Sequence, residues 1–198
     1  KLNAVDYAIR NLGKSVPERL AVKLPPGLSS EAVKAGEAMR RRLQEESGKN
    51  IQMLKDRSTM PGTNAVILNR MYDLRMYGGW MIQLAALQVQ AGKGSIYGWT
   101  GGADKILRDG EFPGVIGGTA KVDAARNEKE GLQLALFSGD DQRKVSVQIG
   151  GFKSDNGTAF PAENITAAPI GYVTPTAPAY WSEYITYKMP DPLLNYLH

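Results

Sequence analysis

The chain has no cysteine, so disulfides, thiolate catalysis and cysteine-held metals are excluded. Its single histidine is the last residue, His198, which all but excludes a histidine-dependent triad or a histidine-rich metal centre. No apolar run approaches the roughly 18 residues of a membrane span. Phosphate loops are missing too. Gly92-Lys93-Gly94-Ser95 lacks the required spacing, and Gly13-Lys14-Ser15 has no upstream glycine where one is needed. There is no low-complexity tract and no internal repeat. No signal-peptide pattern is present, and a chain that opens at Lys1 without methionine reads as a mature or excised piece.

What remains is ordinary in bulk. The 198 residues suit one or two domains and can bury a real core. The net charge is +4, a weak pull toward nucleic acid. The one dense basic cluster, Arg40-Arg41-Arg42, is interleaved with Glu37, Glu45 and Glu46. On a helix these residues pair at i,i+3 and i,i+4, so a solvated, salt-bridged face is expected rather than a nucleic-acid surface.

Residues 1–95 read as a small α/β domain. Leu2 to Leu12 is a short amphipathic helix stopped by Gly13. Arg19 to Leu24 is a strand closed by Pro25-Pro26-Gly27. Ser29-Ser30-Glu31 caps a helix whose apolar spacing (Ala32, Ala35, Met39, Leu43) runs to Gly48. Ile51–Leu54 and Asn64–Leu68 follow as strands, and Trp80 to Gln90 as a second, more apolar helix.

Residues 96–198 change character, with glycine and proline concentrated after residue 92. Strand-like runs are expected at Asp104–Arg108, Thr119–Arg126, Gly131–Ser138, Lys144–Ile149, Ile165–Thr174 and Tyr184–Met189. Lys121–Ala124 and Lys144–Ile149 alternate polar and apolar at period two, the mark of a sheet wet on one side. Six short strands at this spacing predict an antiparallel β-sandwich of jelly-roll type, and the whole an α+β chain.

Three stretches carry a resemblance. They are Ala103 to Asp109, Ala124 to Leu134, and the pair Ile170-Gly171-Tyr172-Val173 with Met189-Pro190-Asp191-Pro192-Leu193-Leu194. Their order and spacing resemble the N-terminal β-sandwich of bacterial glycoside hydrolases of the family 123-like kind. Leu24-Pro25-Pro26-Gly27 and Glu46 to Ile51 are similar to the small α/β accessory domains placed ahead of catalytic barrels. The resemblance implies an accessory region of a glycan-processing enzyme, secreted or periplasmic. It also implies polysaccharide as ligand, a C-terminal catalytic domain or chain as partner, and reactive groups located elsewhere. In that family Arg126, Asn127, Glu128 and Glu130, with Gln133 on the next strand, form the recognisable signature.

The residues themselves allow more than one chemistry. Asn127 suits a left-handed turn and Glu128 a backbone-capping carboxylate, so a turn locking two strands is the favoured reading. The sharper alternative makes Glu128 and Glu130 an acid–base pair, with Glu183 in reserve; it demands two convergent carboxylates in a cleft. Tyr97 and Trp99 share one face of an extended segment, and Tyr180 and Trp181 sit in a proline-rich loop. All four are candidates for stacking on sugar rings, against the plainer reading of packing. Trp80 is expected in the core. Asp104, Asp109, Asp140, Asp141 and Asp155 are candidate ligands for a structural Ca²⁺, but no ligand-spaced motif organises them, and no cofactor is expected. A binding or assembly module with no enzyme attached is the alternative function. It predicts an exposed apolar patch or an unpaired strand edge.

Overall fold

The computed structural model describes residues 4–56, 61–125, 128–141, 145–153, 156–173 and 189–193. The chain divides into two compact units, Lys1–Asp140 and Asp141–His198.

The first unit begins with three long helices. Helix α1 spans Ala4–Leu20. Its apolar residues recur every fourth position, and Ala8, Leu12, Val16 and Leu20 are all buried. That stripe carries the helix through Gly13 and even through Pro17, whose missing N–H and ring cost about 3 kcal/mol in a helix interior. Burying a leucine side chain returns about 1.5–3 kcal/mol, and this helix buries two such residues completely. Helix α2 spans Ser30–Asp56. The Ser29 hydroxyl accepts a hydrogen bond from the Ala32 N–H at 3.2 Å, closing its first turn. The buried row Ala32, Gly36, Leu43, Ser47 and Leu54 continues past Gly48, which faces open space and does not end the helix. Helix α3 spans Pro61–Ala91 and packs against both others. Gly92, with φ +55°, stops it in the left-handed conformation that favours glycine, its N–H bonded to the Gln88 carbonyl at 3.0 Å.

Two arginines tie the helices together. Arg40 pairs with Glu37 at 3.0 Å within α2, the expected i,i+3 contact, and also donates to the carbonyls of Leu20, the last residue of α1, and Val22 just beyond it. Arg70 of α3 meets Glu46 of α2 in a two-pronged pair. The hydrogen bonds from Arg70, reinforced by its charge and that of Arg42, hold the Glu46 carboxyl below the usual 4.5 despite partial burial. A depressed folded-state pKa gives stability that is complete above 4.5 and is lost as pH falls through the lowered value. The pair is partly exposed, so its worth is on the order of 0.5–1 kcal/mol. Glu46→Gln is therefore expected to lower the melting temperature at neutral pH and to match the parent well below pH 4.5. A constant difference across that range would refute the assignment.

After α3 the chain forms a three-stranded antiparallel sheet from β1 (Ser95–Gly101), β2 (Val115–Ile116) and β3 (Leu132–Ser138), in the order β2-β1-β3. Trp99 lies opposite Val115 on one side and Leu134 on the other. The inner face presents Ile96, Ala135 and Phe137 to a second core of Leu87, Phe112 and Ile116. Phe112 and Phe137 meet edge to face, with centroids 5.1 Å apart.

The second unit holds two short antiparallel ladders. Strands β4 (Phe152–Lys153) and β5 (Ala159–Phe160) pair with each other. Strands β6 (Ile170–Val173) and β7 (Met189–Leu193) pair with Ile170 opposite Leu193.

The expected fold is corrected on several points. The chain is α+β, but a small α/β domain followed by a β-sandwich is not what forms. It has three helices and sheets of three and two strands, and no sandwich occurs among the described residues. Ile51–Leu54 and Asn64–Leu68, expected as strands, lie inside α2 and α3. Arg19 and Leu20 end α1, and the rest of the segment to Leu24 forms no strand. Thr119–Ala125 and Val145–Ile149 join no ladder. Their alternating valines, Val122, Val145 and Val147, stay exposed and join neither hydrophobic cluster of the described residues. Among the described residues, no helix is long and apolar enough to cross a membrane.

Candidate functional site

The outer face of the three-stranded sheet carries Tyr97, Trp99, Val115, Leu132, Leu134 and Leu136, as the register of the ladders requires. Tyr97 and Trp99 meet edge to face, with centroids 5.8 Å apart and planes at 76°. The Tyr97 hydroxyl donates to the Gly118 carbonyl at 3.4 Å. Trp99 is half-buried, and its indole N–H is buried without an acceptor among the described residues.

Beside Trp99 an open trough of about 1070 Å³ runs along this face. Trp99, Val115 and Leu132 line its floor, and the segments Gly101–Asp104 and Gly117–Asp123 form its sides, with Glu130 at the entry to β3. Two glycine pairs shape the sides. Gly101-Gly102 lets the turn approach Gly131 so closely that a methyl group on Gly102 would stand 2.7 Å from the Gly131 carbonyl oxygen. Gly117-Gly118 both adopt positive φ where the chain leaves β2.

Side-chain bonds hold the Gly101–Asp104 turn. The Asp104 carboxylate accepts from the Thr100 hydroxyl and from the Gly101 N–H, the latter at 3.2 Å. From β3, the Gln133 amide donates to the carbonyls of Gly101, Gly102 and Asp104. Gln133 thus positions one side of the trough without lining it. The Glu128 carboxylate accepts from the Ala125 N–H at 2.6 Å. Glu130 lines the trough and Glu128 does not. The acid–base alternative therefore has one of its two members in the trough. Arg126, Asn127, Tyr180, Trp181, Glu183 and Asp155 lie outside the described residues. Trp80 packs against the second core as a half-buried residue.

Among the described residues, no three acidic or histidine side chains gather as a metal would require. The arrangement offers an aromatic floor, dispersed charges and backbone-rich sides, which suit an extended polar ligand with flat apolar faces. Of the trough's lining, the sequence suggested Trp99 as a sugar-stacking candidate, Glu130 as a turn or acid–base candidate and Asp104 as a Ca²⁺ candidate, and it suggested nothing for Lys121 and Asp123. The glycine pairs flanking β1 and following β2 were the available signal.

No protein-family model matches this chain, and no curated protein or solved structure matches it either.

Proposed function

We propose that the chain is a non-catalytic accessory region of glycan-processing machinery, secreted or periplasmic. It holds polysaccharide in the trough while a catalytic domain or chain acts beside it. The observation that carries this reading is the Trp99 ring on the floor of an open groove whose sides bear Asp104, Lys121, Asp123 and Glu130. Pyranose rings present C–H faces that stack on indole, and their hydroxyls can donate to such carboxylates and accept from the Lys121 ammonium. The two stretches 170–173 and 189–193, which carry part of the glycoside hydrolase resemblance, also pair as neighbouring strands.

Affinity electrophoresis through polysaccharide gels tests the reading. Trp99→Ala is expected to weaken retention about five- to tenfold, the worth of one aromatic stack, while Trp99→Phe keeps most of it. Trp181→Ala serves as the second arm. If retention is indifferent to Trp99→Ala, the trough is not a sugar site.

A second reading, an assembly module with no enzyme attached, is favoured by the outer sheet face itself. Leu132, Leu134, Leu136 and Val115 form a continuous exposed apolar row there. Sedimentation analysis separates the two. Self-association without glycan retention supports assembly, and retention by a monomer supports the first reading.

A further inference from the structure

We propose that the trough selects polysaccharides carrying free amino groups and rejects those carrying uronate or sulfate. The inference rests on the glycan reading above and adds the charge class of the ligand. Three carboxylates, Asp104, Asp123 and Glu130, line the trough, against the single ammonium of Lys121. The groove is thus locally negative on a chain whose net charge is +4. A concave, partly apolar wall strengthens such a local field relative to a flat surface.

The carboxylates are available in different degrees. Asp104 is committed to the turn it caps. None of the ion pairs Arg19–Glu111, Arg40–Glu37 and Arg70–Glu46 draws on Asp123 or Glu130. Those two groups can accept charge-assisted hydrogen bonds from a ligand ammonium, which are about twice as strong as neutral ones. Their dispersal also matters, because the described residues form no converged acidic set that would hold a single metal ion. Carboxylates on the sides of a trough lined by Trp99 match a chain that carries amino groups on its rings. A uronate or sulfate on the same rings would meet like charge at the same points.

The test is isothermal titration of the full chain with oligosaccharides of equal length: glucosamine, N-acetylglucosamine, glucose and galacturonate oligomers. Acetylation removes the charge and keeps the ring, so that pair isolates the claim. The glucosamine oligomer is expected to bind about five- to twentyfold more tightly than its acetylated form at low salt, an advantage that shrinks as salt screens the groove. Asp123→Asn and Glu130→Gln are each expected to lower glucosamine affinity about two- to fivefold and to lower affinity for the acetylated oligomer by a smaller factor. Circular dichroism confirms that these exposed substitutions leave the fold intact. Equal or tighter binding of the acetylated or galacturonate oligomer overturns the charge selection while leaving the glycan reading standing. So does a double variant that binds glucosamine as well as the parent. If no oligomer of any charge binds, the glycan reading itself fails and the selection falls with it.

Discussion

Gln83→Leu is expected to destabilise the first unit by about 2–4 kcal/mol, well beyond what a surface change would do. Gln83 is 3% exposed and lies on α3 between the two hydrophobic clusters. Its carbonyl oxygen accepts from the Phe112 N–H at 2.7 Å, and its amide donates to the Lys23 carbonyl at 2.9 Å and more weakly to that of Phe112. One side chain thus satisfies the backbone of two connecting segments, the one leaving α1 and the one entering β2. Leucine fills nearly the same volume, so the change leaves little cavity. Its cost is that of stranding a buried N–H and buried carbonyls, each about 1–3 kcal/mol. Urea unfolding reports the loss, and hydrogen exchange of the Phe112 amide reports its site. A midpoint that shifts by less than the equivalent of about 1 kcal/mol, with Phe112 protection unchanged, would show that Gln83 is not the clasp described.

The same residue shows where sequence reasoning stops. A glutamine within the apolar run Trp80 to Gln90 is legible as helical by spacing, and that segment is indeed part of α3. Nothing local marks Gln83 as buried, because its partners lie 29 and 60 residues away. The helices were readable in part. Leu12, Val16 and Leu20 keep a single stripe, but Gly13 reads as a stop when only the local window is weighed, and the helix also runs through Pro17. Tertiary burial against α3 outweighs both. The apolar runs at 51–54 and 64–68 are too short to separate a buried helical segment from a strand by composition alone. In the remaining half, the strand expected at Gly131–Ser138 forms as β3, whereas the period-two alternation of Lys144–Ile149 leads to no strand over the described residues 145–149. The two segments differ in their surroundings. The inward residues of β3 find Phe112 and Ile116 to pack on, whereas Val145 and Val147 remain more than half exposed. Tyr97 and Trp99 were readable as sharing one face, because a strand with one intervening glycine puts them there, and of the two Trp99 lines the trough. Lys121 and Asp123 on its sides were not, because they belong to a segment without regular structure.

Gly27→Ala is expected to cost about 3 kcal/mol or more, from two effects that act at one atom. Gly27 has φ +89°, a conformation that costs an L-residue about 1–2 kcal/mol. A methyl group there would also stand 1.9 Å from the Ile116 carbonyl oxygen and 2.9 Å from its carbon. Both atoms belong to the backbone of β2, so no side chain can turn aside. The neighbouring Pro26 carbonyl accepts the Ile116 N–H at 2.8 Å, which holds the two segments together at this separation. Relieving the overlap requires breaking that bond and moving β2 away from the loop. Ile116 is 4% exposed and belongs to the second core, so the movement would open apolar surface under the sheet. The trough lies on the far side of that sheet, with Val115 on its floor. The variant should therefore show both a lowered denaturation midpoint and weakened glycan retention. Gly48→Ala is the matched control, since Gly48 is helical and meets nothing within 4 Å; alanine there should stabilise by about 1 kcal/mol through helix propensity alone. If the two alanine variants unfold at the same midpoint, the close approach of residues 26–27 to β2 is not what sets the separation between loop and sheet.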